Sequence, residues 1–206
     1  MTPEILILYN DEQHSYTVNG RPTRYWSQIA LDAGLAEPLP ETAWVIEAKH
    51  RGTQIHDVCA LILERRTVDT SQIAEEALPY IMAFTSFLEA HNIGARVVES
   101  PLYNADLDYC CTPDWYTPRR VYELKTTAKP SRLWGLQTAA QALAHGSAIS
   151  RVIVWLRPKL KTKQYEVHVS DNGDRRIFSD LDFKVVEAAC RGDYGAKCIE
   201  QWKEGL

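Results

Sequence analysis

A chain of 206 residues with 45% hydrophobic and 24% charged side chains has room for one substantial core and the balance of an ordinary soluble globular domain. Its net charge of −4 argues against a uniformly basic nucleic-acid coat protein, but not against an enzyme acting on nucleic acid, because metal-binding carboxylates count as negative until an ion arrives. Met1-Thr2-Pro3-Glu4 and the short apolar run after it make no signal peptide, no run is long enough for a membrane span, and the five cysteines lack the spacing of a disulfide framework, so a cytoplasmic chain with reduced thiols is expected.

Residues 5–18 read as a hairpin, with apolar Ile5–Tyr9, a polar Asn10-Asp11-Glu12-Gln13 turn and Tyr16-Thr17-Val18. Asn19-Gly20 is a turn signal that Arg21-Pro22 continues. A short helix over 27–33 stops at Gly34, and Pro38-Leu39-Pro40 links it to a helical stretch over 41–50. Thr53 is placed to cap a new helix, whose apolar Ile55, Val58, Cys59, Ile62 and Leu63 repeat at i, i+3, i+4, i+7 and i+8. His56 stands at the border of that stripe, where a histidine serves either packing or ligation. Residues 72–91 form another amphipathic helix.

The period then changes to two. Residues 96–103 read as a strand bearing Glu99, followed by strands over 109–116 and 120–126 joined at Thr117-Pro118-Arg119-Arg120. A helix begins at Pro130 or Ser131 and closes at Gly146, with Gln137 and Gln141 one turn apart on a single face. Residues 151–156 suit a central strand and 164–169 a strand nearer an edge; 179–190 and 196–203 read as final helices. The order gives an α/β sandwich with a small mixed sheet.

The hairpin over 109–126 carries the chemistry. Strand side chains alternate, so Glu123 and Lys125 point the same way, roughly 6.7 Å apart, and Leu124 faces the other side. With Pro118-Arg119 at the turn, register pairs Thr117 with Arg120 and Asp114 with Glu123. Two opposed acids repel unless a cation lies between them, and a hard divalent ion resolves this. A solvated strand face with one Glu–Lys pair fits the same three residues.

This constellation resembles the PD-(D/E)XK nuclease superfamily. Pro113-Asp114 and Glu123-Leu124-Lys125 match its pattern, in a central αβββαβ order. Arg51-Gly52-Thr53-Gln54-Ile55-His56 is similar to the Arg-Gly-Thr-x-x-His motif of the RecB-like and phage-exonuclease branch. Glu99-Ser100-Pro101-Leu102-Tyr103 looks like its upstream acidic strand, and Gln137-Thr138-Ala139-Ala140-Gln141 stands where its Gln-x-x-x-Tyr helix would be. Even His14-Ser15-Tyr16-Thr17-Val18-Asn19-Gly20 is similar to the N-terminal hairpin of phage-encoded members. The likeness covers residues 5 to 170, with five motifs in order. It departs at Gln141, an amide in place of the usual tyrosine. Only Cys190 and Cys198 lie late in the chain, so no iron–sulfur cluster is expected.

The resemblance implies a restriction-endonuclease-like core in a single nuclease domain over 1–206: an N-terminal hairpin and helix over 5–40, a catalytic core over 41–170 and a helical tail over 171–206. It implies a Mg²⁺- or Mn²⁺-dependent deoxyribonuclease, a phage or prophage exonuclease acting on DNA ends in recombination or repair. A structure-selective endonuclease and a non-catalytic DNA-binding recombination protein are the alternatives. Asp114, Glu123, Lys125 and Gln137 are the expected catalytic residues. His56, Glu99, Asp114, Glu123 and the Leu124 carbonyl are the expected holders of one or two ions. Arg51, Thr53, Lys129, Arg132, Trp134 and Gln141 are the expected DNA contacts, and Trp115 or Trp134 would stack on a terminal base unless it belongs to the core. Basic clusters at Arg119/Arg120, Lys125/Lys129/Arg132, Arg157/Lys159/Lys161/Lys163 and Arg175/Arg176 suit phosphate tracking independent of sequence. The expected partners are end-containing DNA, single- or double-stranded, and a single-strand annealing or binding protein.

Overall fold

The computed structural model describes residues 5–10, 13–94, 96–146, 150–158 and 164–205. In chain order come β1 (Ile7–Asn10), β2 (Ser15–Val18), β3 (Arg21–Tyr25), α1 (Trp26–Asp32), α2 (Ala43–Leu63), α3 (Leu78–Ala90), β4 (Val97–Val98) and β5 (Leu102–Asn104). There follow β6 (Tyr109–Cys111), β7 (Trp115–Thr117), β8 (Arg120–Lys125), α4 (Leu133–His145), β9 (Ser150–Leu156), β10 (Tyr165–Val169), α5 (Asp182–Cys190) and α6 (Lys197–Glu204). No described helix is long and apolar enough to cross a membrane.

Among the described residues the strands form two mixed five-stranded sheets where the sequence suggests one small sheet and an N-terminal hairpin: an N-terminal sheet ordered β1-β2-β3-β6-β5 and a central sheet ordered β10-β9-β8-β7-β4. In the central sheet β4, β7 and β8 run antiparallel, and α4 carries the chain over to β9, which is parallel to β8. With β5 and β6 set aside, α3-β4-β7-β8-α4-β9 reads as α-β-β-β-α-β. Thr117 pairs with Arg120 and Trp115 with Tyr122, the register expected of the hairpin. β9 lies inside the sheet, and β10 forms its edge.

Both expected long strands are broken, and they break side by side. The 96–103 strand splits at Glu99, a left-handed residue with φ 44°, and the chain passes from the central to the N-terminal sheet. The 109–116 strand splits at Thr112-Pro113-Asp114 and returns the other way; Pro113 has no N–H to continue a ladder. The Glu99 N–H donates to the Asp114 carbonyl at 3.0 Å, tying the crossings together. Asp114 therefore sits on the seam between the sheets.

Two further readings are corrected. Arg21–Tyr25 is a strand rather than the tail of a turn: Asn19 and Gly20, at φ 51° and 78°, make the two-residue reversal that favours hairpins. Pro22 precedes the residues of β3 that pair with β6, Arg24 and Tyr25. The 41–50 helix and the helix expected to start at Thr53 are one, α2, capped by Thr42 Oγ1, which accepts from the Val45 N–H at 3.3 Å. Thr53 lies inside it. Gly52, an interior glycine costing about 1 kcal/mol of helix propensity, sits where a Cβ would stand 3.8 Å from Thr126 Oγ1, just beyond β8.

Helices cover both faces of the central sheet. Tyr122, Leu124, Val152 and Val154 pack with Ile55 and Cys59 of α2 and Phe84 and Phe87 of α3. On the opposite face Ile153 and Trp155 meet Trp134 of α4 with Ile177 and Phe178. α4 turns a further side, Leu136, Ala139 and Ala140, to a third core with Trp26, Tyr109, Val185 and Trp202. It is thus the shared wall between the central sheet, the N-terminal sheet and the C-terminal helices.

Candidate active site

The alternation of β8 sets the geometry. Leu124 enters the core below α2 and α3, while Glu123 and Lys125 face α4. Lys125 Nζ donates to Glu123 Oε1 at 2.9 Å and to Gln137 Oε1 at 2.7 Å. Gln137 Nε2 donates to the same Glu123 oxygen at 2.6 Å, and Gln141 Nε2 to Glu123 Oε2 at 2.7 Å. Spacing of i, i+4 on α4 sets the two amides one above the other, and together with Lys125 they clamp a carboxylate that is only 4% exposed.

Asp114 is opposite Glu123 by register but turns elsewhere. Its Oδ2 accepts the Leu124 N–H at 2.5 Å, and its Oδ1 accepts from His56 Nδ1 at 2.8 Å. The carboxylates therefore do not share Lys125: one is clamped from α4, the other from α2. Glu99 stands on the Asp114 side, where His56, Asp114, Leu124 and Glu99 line one small crevice.

The acids still act on one another through charge. Burial and then the Asp114 charge raise the Glu123 pKa, and Lys125 and the Gln141 amide offset this only in part. Glu99 is raised as well, by packing around its carboxyl and by the charges of Asp114 and Asp57. Burial would raise Asp114, but His56, the Leu124 N–H and Lys125 outweigh it and hold the carboxyl below its usual range. Burial would lower His56; the Asp114 carboxylate outweighs it and the pKa rises. Asp114 is thus the charge that both Glu99 and Glu123 feel.

Among the described residues, no three His, Cys, Asp or Glu side chains gather into a finished metal cage. The donor chemistry nonetheless suits a hard divalent ion, since carboxylate oxygens and a backbone carbonyl are the atoms it takes. Glu123 accepts three hydrogen bonds and Asp114 two, against about four lone-pair sites on each carboxylate. Acceptor capacity remains on Asp114 and on Glu123 Oε2, and repulsion among the acids favours a cation there.

The expected DNA contacts are spread unevenly. Arg51 and Thr53 line an open groove along α2 with Glu47, His50 and Asp57. Lys129 is exposed beyond β8. Arg132 ties α4 to α6, donating to the Trp202 carbonyl at 3.3 Å and lying over its ring. Trp115 and Trp134 are 0% and 5% exposed in the hydrophobic cores, so neither is a stacking platform for a base. Gln141 is a Glu123 clamp. Of the basic clusters, Arg119 and Arg120 are exposed at the β7–β8 turn. Arg157 pairs with Glu166 and Arg176 with Asp174. Lys159, Lys161 and Lys163 lie outside the described residues.

Sequence reasoning placed His56 and Asp114 at one ion but missed their direct hydrogen bond, for which α2 and the seam before β7 bring them together across 58 positions. It also missed Lys49, Tyr25 and Trp26, which line a cavity on the far side of Gln137. A single α2 would have shown that Lys49 and His56, seven residues apart, lie on one helix face. No protein-family model matches the chain, and comparison with curated proteins finds no match.

Proposed function

We propose that this chain is a divalent-metal-dependent deoxyribonuclease of the PD-(D/E)XK type, an exonuclease acting on DNA ends in the cytoplasm of a phage-infected or prophage-bearing host. The observation that supports it best is that β8 sets the buried Glu123 carboxylate against Lys125 and Gln137 while the adjoining Leu124 N–H holds Asp114, so that two carboxylates flank one strand end where the two sheets meet. Asp114, Glu123 and the Leu124 carbonyl would hold Mg²⁺ or Mn²⁺, with His56 and Glu99 at the edge of the site. Such an ion supplies charge for the phosphoryl oxygens and lowers the pKa of a water. Lys125, whose ammonium is held between Glu123 and Gln137, would orient the attacking water and steady the phosphate. Gln137, already bonded to both Lys125 and Glu123, keeps the ammonium aimed.

End-labelled linear DNA and supercoiled circles, each with Mg²⁺, Mn²⁺ or excess EDTA, test the reading. Linear DNA should shorten from an end only with metal, and closed circles should survive. Lys125→Ala should abolish turnover and keep calorimetric Mn²⁺ binding, whereas Asp114→Asn should lose both. Undiminished cleavage in EDTA, or near-normal turnover by Lys125→Ala, overturns it. Rapid linearisation of circles while linear DNA is spared would instead show an endonuclease.

A further inference from the structure

Trp155 touches both elements that supply Lys125 and Gln137. It lies on β9 in register with Lys125, the last residue of β8, so the two side chains stand side by side on the face toward α4, about 4.8 Å apart across the ladder. Its ring is 4% exposed and meets Trp134 of α4 edge to face at 5.6 Å between centroids. Trp134 stands one turn before Gln137 on that helix. On the other side, Trp155 Nε1 donates to the Thr127 carbonyl at 2.7 Å. Thr127 is exposed, two residues past Lys125 on the turn from β8 to α4, and its hydroxyl donates to the Lys129 carbonyl at 3.0 Å. The indole bond thus runs from the core to an exposed turn outside the strand ladder. Above the ring lies the Arg157 guanidinium, 4.2 Å from its centroid and paired with Glu166.

We infer that Trp155 is a positioning residue, whose indole N–H fixes the end of β8 and with it the place where the Lys125 ammonium meets Glu123 and Gln137. The inference deepens the nuclease reading and rests on it for the effect on turnover, though not for the geometry. Lys125 roots a long, flexible side chain on the last rung of β8, and strand ends open more readily than strand centres. A tie just beyond that rung keeps it closed. Packing against Trp134 needs only the ring. The N–H, which a buried tryptophan usually directs to a partner, goes instead to the turn that leaves β8. From the α4 side the Trp134 contact holds the helix turn before Gln137, whose amide oxygen accepts from Lys125 at 2.7 Å. Arg157, by its cation–π contact, keeps the indole from tilting away from Thr127. Both ends of the Lys125–Gln137 bond are therefore referred to one ring. Catalytic groups displaced by about 1 Å lose about a hundredfold in rate, so an anchor of this kind is felt in turnover.

The test uses the full chain with Mn²⁺ and end-labelled linear DNA, and reads turnover beside a signal that needs no turnover. Trp155→Phe keeps a ring against Trp134 and removes the N–H. In the folded variant kcat should fall about tenfold or more, while KM and calorimetric Mn²⁺ binding stay as in the parent. Arg157→Gln changes a partly exposed side chain without opening the core, and should lower kcat in the same direction by less. The second signal is the Lys125 ammonium itself, seen by NMR in metal-free protein carrying isotope-labelled lysine, at mildly acidic pH and low temperature. It should exchange slowly in the parent, be assigned by its absence from Lys125→Ala, and broaden away in Trp155→Phe. A folded Trp155→Phe with parental kcat and an unchanged ammonium signal overturns the inference and leaves Trp155 a core residue. If that variant does not fold, Arg157→Gln with both readings parental overturns it equally. A raised KM with parental kcat also overturns it, because the tie then serves the Lys129 turn in DNA binding. If the parent never cleaves DNA with Mg²⁺ or Mn²⁺, the nuclease reading falls, and the ammonium signal alone upholds or overturns the positioning of Lys125.

Discussion

His56 and Asp114 form the contact with the clearest pH signature. The His56 pKa is raised above its usual 6.5, so its share of stability is complete below 6.5 and is lost as pH rises through the raised value. The Asp114 pKa is lowered from 3.8, so its share is complete above 3.8 and is lost as pH falls through the lowered value. The pair therefore stabilises most between these limits, by about 1.5–3 kcal/mol for a hydrogen bond between charged partners. In metal-free buffer, His56→Gln should lower the melting temperature most near pH 5, and the difference from the parent should shrink toward pH 9. A difference that stays constant across this range would make His56 a packing residue. The residue-scale chemistry was half legible. A period of two put Glu123 and Lys125 on one side, and hairpin register set Asp114 opposite. Which groups meet those side chains depends on α2 and α4, and no local pattern carries that. Gln141 looked like a tyrosine replaced by an amide at a substrate surface; its partner, Glu123, lies 18 positions away.

At the scale of elements, the clamp depends on how closely α4 approaches its neighbours, and Gly135 sets that distance. A Cβ there would run into the Ile177 carbonyl oxygen and stand 2.8 Å from Asp182 Oδ2. Alanine favours the helix by about 1 kcal/mol, but the contact is with backbone, which yields little, and overpacking of this kind costs about 1–3 kcal/mol. Steric cost wins. Gly135→Ala should lower the thermal midpoint by several degrees and, because α4 must shift with Gln137 and Gln141 on it, reduce cleavage more than it reduces DNA binding. Equal stability with full activity would show that α4 can relax without moving its amides. Most elements were visible in the sequence because their periods differ, as in α4 with its left-handed Gly146 cap at φ 75°. The errors came from punctuation. Gly52-Thr53 looked like a helix boundary but lies inside α2, where burial against the sheet end outweighs a weak local preference. Leu78, not residue 72, starts α3, with Pro79 in the first turn that tolerates it.

Across the whole molecule, the α/β class and the strand–helix–strand crossover were legible, and the division into two sheets was not. Alternation continues smoothly through Glu99 and through Pro113, so the pattern reads as long strands even where the chain changes sheets. What holds the resulting layers together is also non-local: a buried ion pair joining β9 to α5. Arg151 Nη1 donates to Asp182 Oδ2 at 2.8 Å and to the Gly135 carbonyl of α4 at 3.0 Å. Its guanidinium lies between the rings of Phe178 and Phe183, 4.9 and 4.8 Å from their centroids. Asp182, 0% exposed, also accepts the Ser179 N–H at 2.9 Å and Trp202 Nε1 of α6 at 3.1 Å. A buried pair gains little over an apolar replacement, but removing one partner strands a charge and costs about 3–5 kcal/mol. Arg151→Met should therefore lose stability on that scale in urea unfolding. Asp182→Asn keeps an acceptor for Trp202 but leaves the guanidinium without its counter-charge, so it too should be costly. The double variant Arg151→Met/Asp182→Asn strands neither charge and should be more stable than Arg151→Met alone. Losses adding to within about 0.5 kcal/mol, as for independent sites, would mean that the two residues support the layers separately. Because neither side chain touches the Glu123 clamp, the double variant should also keep the proposed metal-dependent cleavage once folded, so that the stability of the layers and the chemistry proposed at their seam can be measured apart.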